Sequence, residues 1–154
     1  MTDSIIPDWI KKIKAEEDRK IVREHTAALE AALIEKTIQA DGPAYWKQLL
    51  KELHVAVEGL KLLGIAGSIS TIQERDEEGV QVKLLLSSHP DRQDFVNLFY
   101  NSGEMGIRRY PATADGVSLI PLRVSSGKVS LYGHTTEEAA RSCVQPMVDS
   151  LLGR

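Results

Sequence analysis

The stretch Leu60-Lys61-Leu62-Leu63-Gly64-Ile65-Ala66-Gly67-Ser68-Ile69-Ser70-Thr71-Ile72-Gln73 marks a change of period. Before Gly64, apolar residues recur every three or four positions, the repeat of a helix with one buried side. After it, short alternating runs separated by Gly, Asp and Asn take over, until Thr135 opens a last helical segment. This order predicts an α+β protein in a single domain, 1–154. Its expected parts are an N-terminal antiparallel helical hairpin (1–64), an antiparallel β-meander of five or six strands (65–134), and a C-terminal helix packed on the sheet (135–154).

Upstream of the change, a first helix is expected from Pro7 to Gln39, with Pro7 in the first turn, where its missing donor costs nothing. The stretch Lys11–Glu24 is almost entirely charged, and Lys12, Glu16, Lys20 and Glu24 alternate in sign four residues apart. Such neighbours support a solvated helix. Its apolar stripe is thin (Trp9, Ile10, Ile13, Ile21, Val22) and thickens through Leu29, Leu33, Ile34 and Ile38. Asp41-Gly42-Pro43 is read as a break, with Asp41 capping a second helix and Pro43 in its first turn. Trp46, Leu49, Leu50, Leu53, Val57, Leu60 and Leu63 make that helix's stripe, and Gly64 its stop. The short break implies the hairpin.

Downstream, strands are expected at Ser68–Gln73 and Val80–Ser87 around the turn Asp76-Glu77-Glu78-Gly79. Further pairs are Phe95–Tyr100 with Met105–Tyr110, and Val117–Val124 with Lys128–Tyr132 around Ser125-Ser126-Gly127. Pro121 points to an edge strand or a bulge. Links this short favour antiparallel neighbours, because parallel crossovers need more chain. Thr135 and Glu138 form a capping box opening the last helix, whose inner stripe is Ala140, Cys143, Val144, Met147, Val148, Leu151 and Leu152. Pro146 is expected to kink it.

Composition narrows the function classes. The chain carries a net charge of −3 and 5% aromatic residues, which argues against nucleic acid as a partner and leaves few platforms for stacking bases. From Val80 to His134, six basic residues face four acidic ones, a weakly basic sheet region. One cysteine, the lack of a secretory signal in MTDSIIPDW and the lack of a long apolar run lead us to expect a cytoplasmic chain with no membrane partner.

No residue set announces a reaction, and neither a catalytic residue nor a cofactor is assigned. His25, His54, His89 and His134 are far apart and form no metal-ligand pattern, so no metal is expected. Ser87-Ser88-His89-Pro90-Asp91 holds the residue types of a hydrolytic triad, but consecutive residues of an extended chain point apart, and a Pro-Asp turn explains them better. Cys143 lies on an apolar stripe and is expected to be buried and inert. The ligand or anion candidates are Arg108, Arg109 and Tyr110, which follow Gly103 and Gly106, with His134 before a helix N-terminus. Tyr100, Tyr110 and Tyr132 with Lys83, Arg109, Arg123 and Lys128 suggest a sheet face for a ligand or nucleic acid. The oligomer-interface candidates are Trp9, Trp46, Leu49 and Leu53. The leading expectation is a non-enzymatic interaction module that self-associates through its helical hairpin as a homodimer, open to a further protein partner. A ligand- or nucleic-acid-binding module using the weakly basic sheet face is the alternative.

Overall fold

The computed structural model describes residues 5–74, 77–112, 116–131 and 134–154. The chain divides into two compact units, Met1–Lys36 and Thr37–Arg154, and the division falls inside a single helix, α1 (Asp8–Gly59). The helical hairpin is therefore corrected. Asp41, Gly42 and Pro43 lie inside α1, and Asp41 caps nothing. The reason is phase. Ile38, Gly42, Tyr45, Leu49, Leu53 and Val57 are buried at spacings of four and three residues that run unbroken through the Gly-Pro pair. A helical proline forfeits one hydrogen bond and costs about 3 kcal/mol. Keeping this stripe in register buries several side chains worth roughly 1.5–3 kcal/mol each, so continuity wins.

In the first unit, the carbonyl of Pro7 accepts from the amides of Ile10 (3.0 Å) and Lys11 (3.2 Å) and so starts α1. Residues 5–36 are exposed throughout. Lys14 and Asp18 form an exposed i,i+4 ion pair at 3.1 Å, a contact that adds only about 0.3–0.5 kcal/mol.

In the second unit, α1 tightens into a 3-10 turn (Leu60–Leu63) and stops at Gly64, whose φ of +70° suits glycine. Six strands follow: β1 (Ile65–Glu74), β2 (Glu77–Leu86), β3 (His89–Asn101), β4 (Gly106–Tyr110), β5 (Leu119–Ser125) and β6 (Lys128–Leu131). They form one curled antiparallel sheet in sequence order. Asp76 of the expected first loop lies outside the described residues, and Glu77, Glu78 and Gly79 belong to β2. The Ser126-Gly127 pair, at φ of +51° and +74°, closes the β5–β6 hairpin with both central residues left-handed, as a two-residue turn matching strand twist requires.

Two irregularities follow from proline. Between β2 and β3 the register jumps from Leu85↔Gln93 to Leu86↔His89, so Pro90, Asp91 and Arg92 stand outside the ladder. In β5, residues up to Pro121 pair with β4 and those from Leu122 on pair with β6. Pro121 thus sits where the strand changes partner, and Leu122 next to it still donates to the Met105 carbonyl on the β4 side at 2.9 Å while pairing with Leu131 of β6. A residue without a donor is tolerated at such a handover.

One sheet face carries Ile65, Val80, Val82, Leu84, Val96, Leu98, Ile107, Leu122 and Leu131, which form the core with α1 and with α2 (Thr136–Leu152). The inner face of α2 is Ala139, Ala140, Cys143, Val144, Met147, Val148 and Leu151, and the helix continues past Pro146. Thr135 caps it, accepting from the Glu138 amide at 3.2 Å. Among the described residues, no helix is long and apolar enough to cross a membrane.

Candidate functional site

Strand alternation separates the residues that looked like one basic, aromatic surface. Leu98 opposes Arg109, and Tyr100 opposes Ile107, so Tyr100 and Arg109 stand on the helix-covered face. Phe99 opposes Arg108, and Asn97 opposes Tyr110, which puts Arg108 and Tyr110 on the other face. Lys83 opposes Phe95 and shares that second face. Tyr132 lies outside the described residues.

Arg108 is already engaged. It pairs closely with Glu104, approaches Glu77 at 4.0 Å and donates to the Tyr110 hydroxyl at 3.3 Å. Bonds to Tyr110 and Glu104 hold its proton more firmly than usual. Asn101 ties the network together, donating to Glu77 at 2.7 Å and accepting from the Glu104 amide at 2.9 Å. The Met105 amide is taken by the Ser102 carbonyl at 3.3 Å. Two loop amides that a phosphate would need thus serve the loop itself, and Arg108 is balanced by carboxylates. Beneath lies Phe99, 2% exposed and edge-on to Tyr110 at 6.1 Å. The cluster acts as a polar clamp over an aromatic side chain on the sheet face opposite the core.

Arg109 points the other way, half-buried, and its Nε, like that of Arg108, is buried without a hydrogen-bond partner among the described residues. Cys143 is 4% exposed; burial pushes its thiol up, and the nearby Arg109 charge opposes that shift. A protonated, shielded thiol is a poor nucleophile. His134 bonds Glu138 through Nδ1 at 3.1 Å. That bond, with contributions from Thr135, holds the Glu138 carboxyl below its ordinary value of 4.5. In the Ser87–Asp91 run, Ser88 Oγ and His89 Nδ1 are 3.0 Å apart on an exposed turn, and among the described residues no carboxylate bonds the ring. Nor, among those residues, do three or more His, Cys, Asp or Glu gather in a way that would hold a metal ion.

The interface candidates divide as well. Leu49 (1% exposed) and Leu53 (0%) are core residues facing the sheet, so neither offers surface to a second chain. Trp46 is half-buried, stacked on Tyr100 at 6.1 Å and 23°, and it lines a cleft of about 460 Å³ with Leu50, Thr71, Glu78 and Ser102. Gly42 lets Tyr100 lie against α1, since a side chain there would strike the Tyr100 hydroxyl. Trp9 is 65% exposed.

Tyr45, four residues before Leu49, lies on the buried stripe of α1, and this spacing is its signal in the sequence. Its hydroxyl donates to the His134 carbonyl (3.2 Å) and accepts from the Leu131 amide (3.3 Å), fastening α1 to the end of β6 and the start of α2. Burial raises its pKa. No protein-family model, curated protein or solved structure matches this chain.

Proposed function

We propose that the chain is a non-enzymatic interaction module that self-associates as a homodimer through the helical segment preceding Ile38. One observation carries this reading. Of fifteen exposed large apolar residues among those described, ten lie between Ile5 and Ile34, including Trp9, Ile13, Leu29 and Leu33. Apolar surface gathered on one segment marks an interaction site, whereas scattered single residues do not. A second copy is the commonest cover for such a surface, usually through a closed, symmetric contact. The stripe at Leu49 and Leu53 takes no part in this contact, because the chain's own sheet absorbs it.

Light scattering on the intact chain should give twice the monomer mass of 17.0 kDa. A truncation lacking residues 1–20 should fall to one chain's mass. A stable monomer at high protein concentration would refute the reading.

A further inference from the structure

We infer that the groove between the end of α1 and α2 receives the Trp9–Ile13 stretch of a second copy of this chain. The inference rests on the self-association reading and adds the surface that the segment meets. The groove has a volume of about 430 Å³ and an apolar floor that includes Ala140, Val144 and Val148. Its lips carry Val55, 69% exposed, and Leu63, 50% exposed. Leu62, next along the chain, is 92% exposed. Together with the ten residues between Ile5 and Ile34, these account for thirteen of the fifteen exposed large apolar side chains, leaving Phe95 and Tyr110 elsewhere. Such a contact would cover Trp9, Ile10 and Ile13 together with Val55 and Leu63, surface that a lone chain leaves wet.

Shape and charge fit the same occupant. Trp9, Ile10 and Ile13 recur at the spacing of one helix face, the form in which an amphipathic helix enters an apolar groove. Trp is the side chain most often found as an energetic anchor in such pockets. The stretch is basic, with Lys11 and Lys12 between its apolar residues and Asp8 just before it; Lys14, just past it, is paired with Asp18. The groove rim leans acidic, with Glu52, Glu137 and Asp149 against Arg141 and Arg154. Opposite charges around an apolar contact set its orientation and speed its formation more than they deepen its affinity.

The test uses three full-length chains: the natural one, a segment variant (Trp9→Glu with Ile13→Glu) and a groove variant (Val55→Glu with Leu63→Glu). All four positions are at least half exposed, so the substitutions are compatible with folding, which circular dichroism checks. Should the double groove variant fail to fold, Val55→Glu alone takes its place. Sedimentation velocity should show each variant dimerising about thirtyfold or more weakly than the natural chain. Mixing the two variants should restore association, because one keeps an intact segment and the other an intact groove. A natural chain that is monomeric, or a dimer indifferent to both variants, overturns this inference and the self-association reading together. A dimer broken by the segment variant but indifferent to the groove variant leaves that reading standing and overturns the groove. Loss in both variants without rescue on mixing also overturns it.

Discussion

The two halves of α1 carry similar numbers of large apolar residues and treat them in opposite ways. Between residues 37 and 59, Ile38, Tyr45, Leu49, Leu53 and Val57 are all 9% exposed or less. Between residues 8 and 36, Trp9, Ile13, Ile21, Val22, Leu29 and Leu33 are 50–65% exposed. Composition does not separate them; phase does. The second half repeats at four and three residues without a gap, whereas the first is interrupted by the charged run between Ile13 and Ile21. A continuous stripe meets a sheet along its length, while a broken one offers only patches.

The sharpest way to break this comparison is a matched pair of truncations. Leu53→Ala should cost about 2–5 kcal/mol, because it opens a cavity in a filled core. Leu29→Ala, at a position 59% exposed, should cost less than about 0.5 kcal/mol in urea unfolding at low protein concentration. Equal costs would erase the distinction between the halves.

Pro43 tests whether phase or local chemistry governs the junction. If continuity is what the packing needs, Pro43→Ala should restore a helical hydrogen bond and raise stability by about 1–3 kcal/mol. A fall in melting temperature would instead mean that the packing depends on a proline bend. Tyr45→Phe probes how the buried half is fastened. Losing its hydroxyl leaves the Leu131 amide and the His134 carbonyl short of a partner, at about 1–2 kcal/mol. No change in unfolding would show that α1 is held by apolar contact alone.

The smallest expected effect lies at the opening of α2. Glu138 is held below its ordinary 4.5, so its ionised form favours the folded state. That contribution is present above pH 4.5 and is lost as pH falls through the lower folded value. In His134→Ala, a carbon-detected titration should find the Glu138 carboxyl moved back up. An unchanged value would assign the shift to Thr135 alone.

Much of the second unit was legible along the chain. The strand alternation announced an antiparallel sheet of five or six strands, and Thr135 with Glu138 announced the start of α2, because these signals act between residues close in sequence; the count of six and their order in the sheet came from the structure. The Glu138 amide donates to Thr135 Oγ1, and the Glu138 carboxyl, held by Thr135, also bonds His134. Arg108 and Arg109 resisted reading for a related reason. Adjacent strand residues face opposite sides, so two arginines that look like one basic patch are divided between a carboxylate clamp and the helix-covered face of the sheet, where Arg109 is half-buried.

The sequence alone determined the helix–sheet–helix order, the strand succession and the placement of Cys143 on a buried face, because periodicity within an element dictates which side is apolar. Only the tertiary structure decided that Gly42-Pro43 is no break. Whether a costly local pair ends a helix depends on what the next turns gain by staying in line, and that gain comes from Leu84, Leu98 and Leu122, far along the chain.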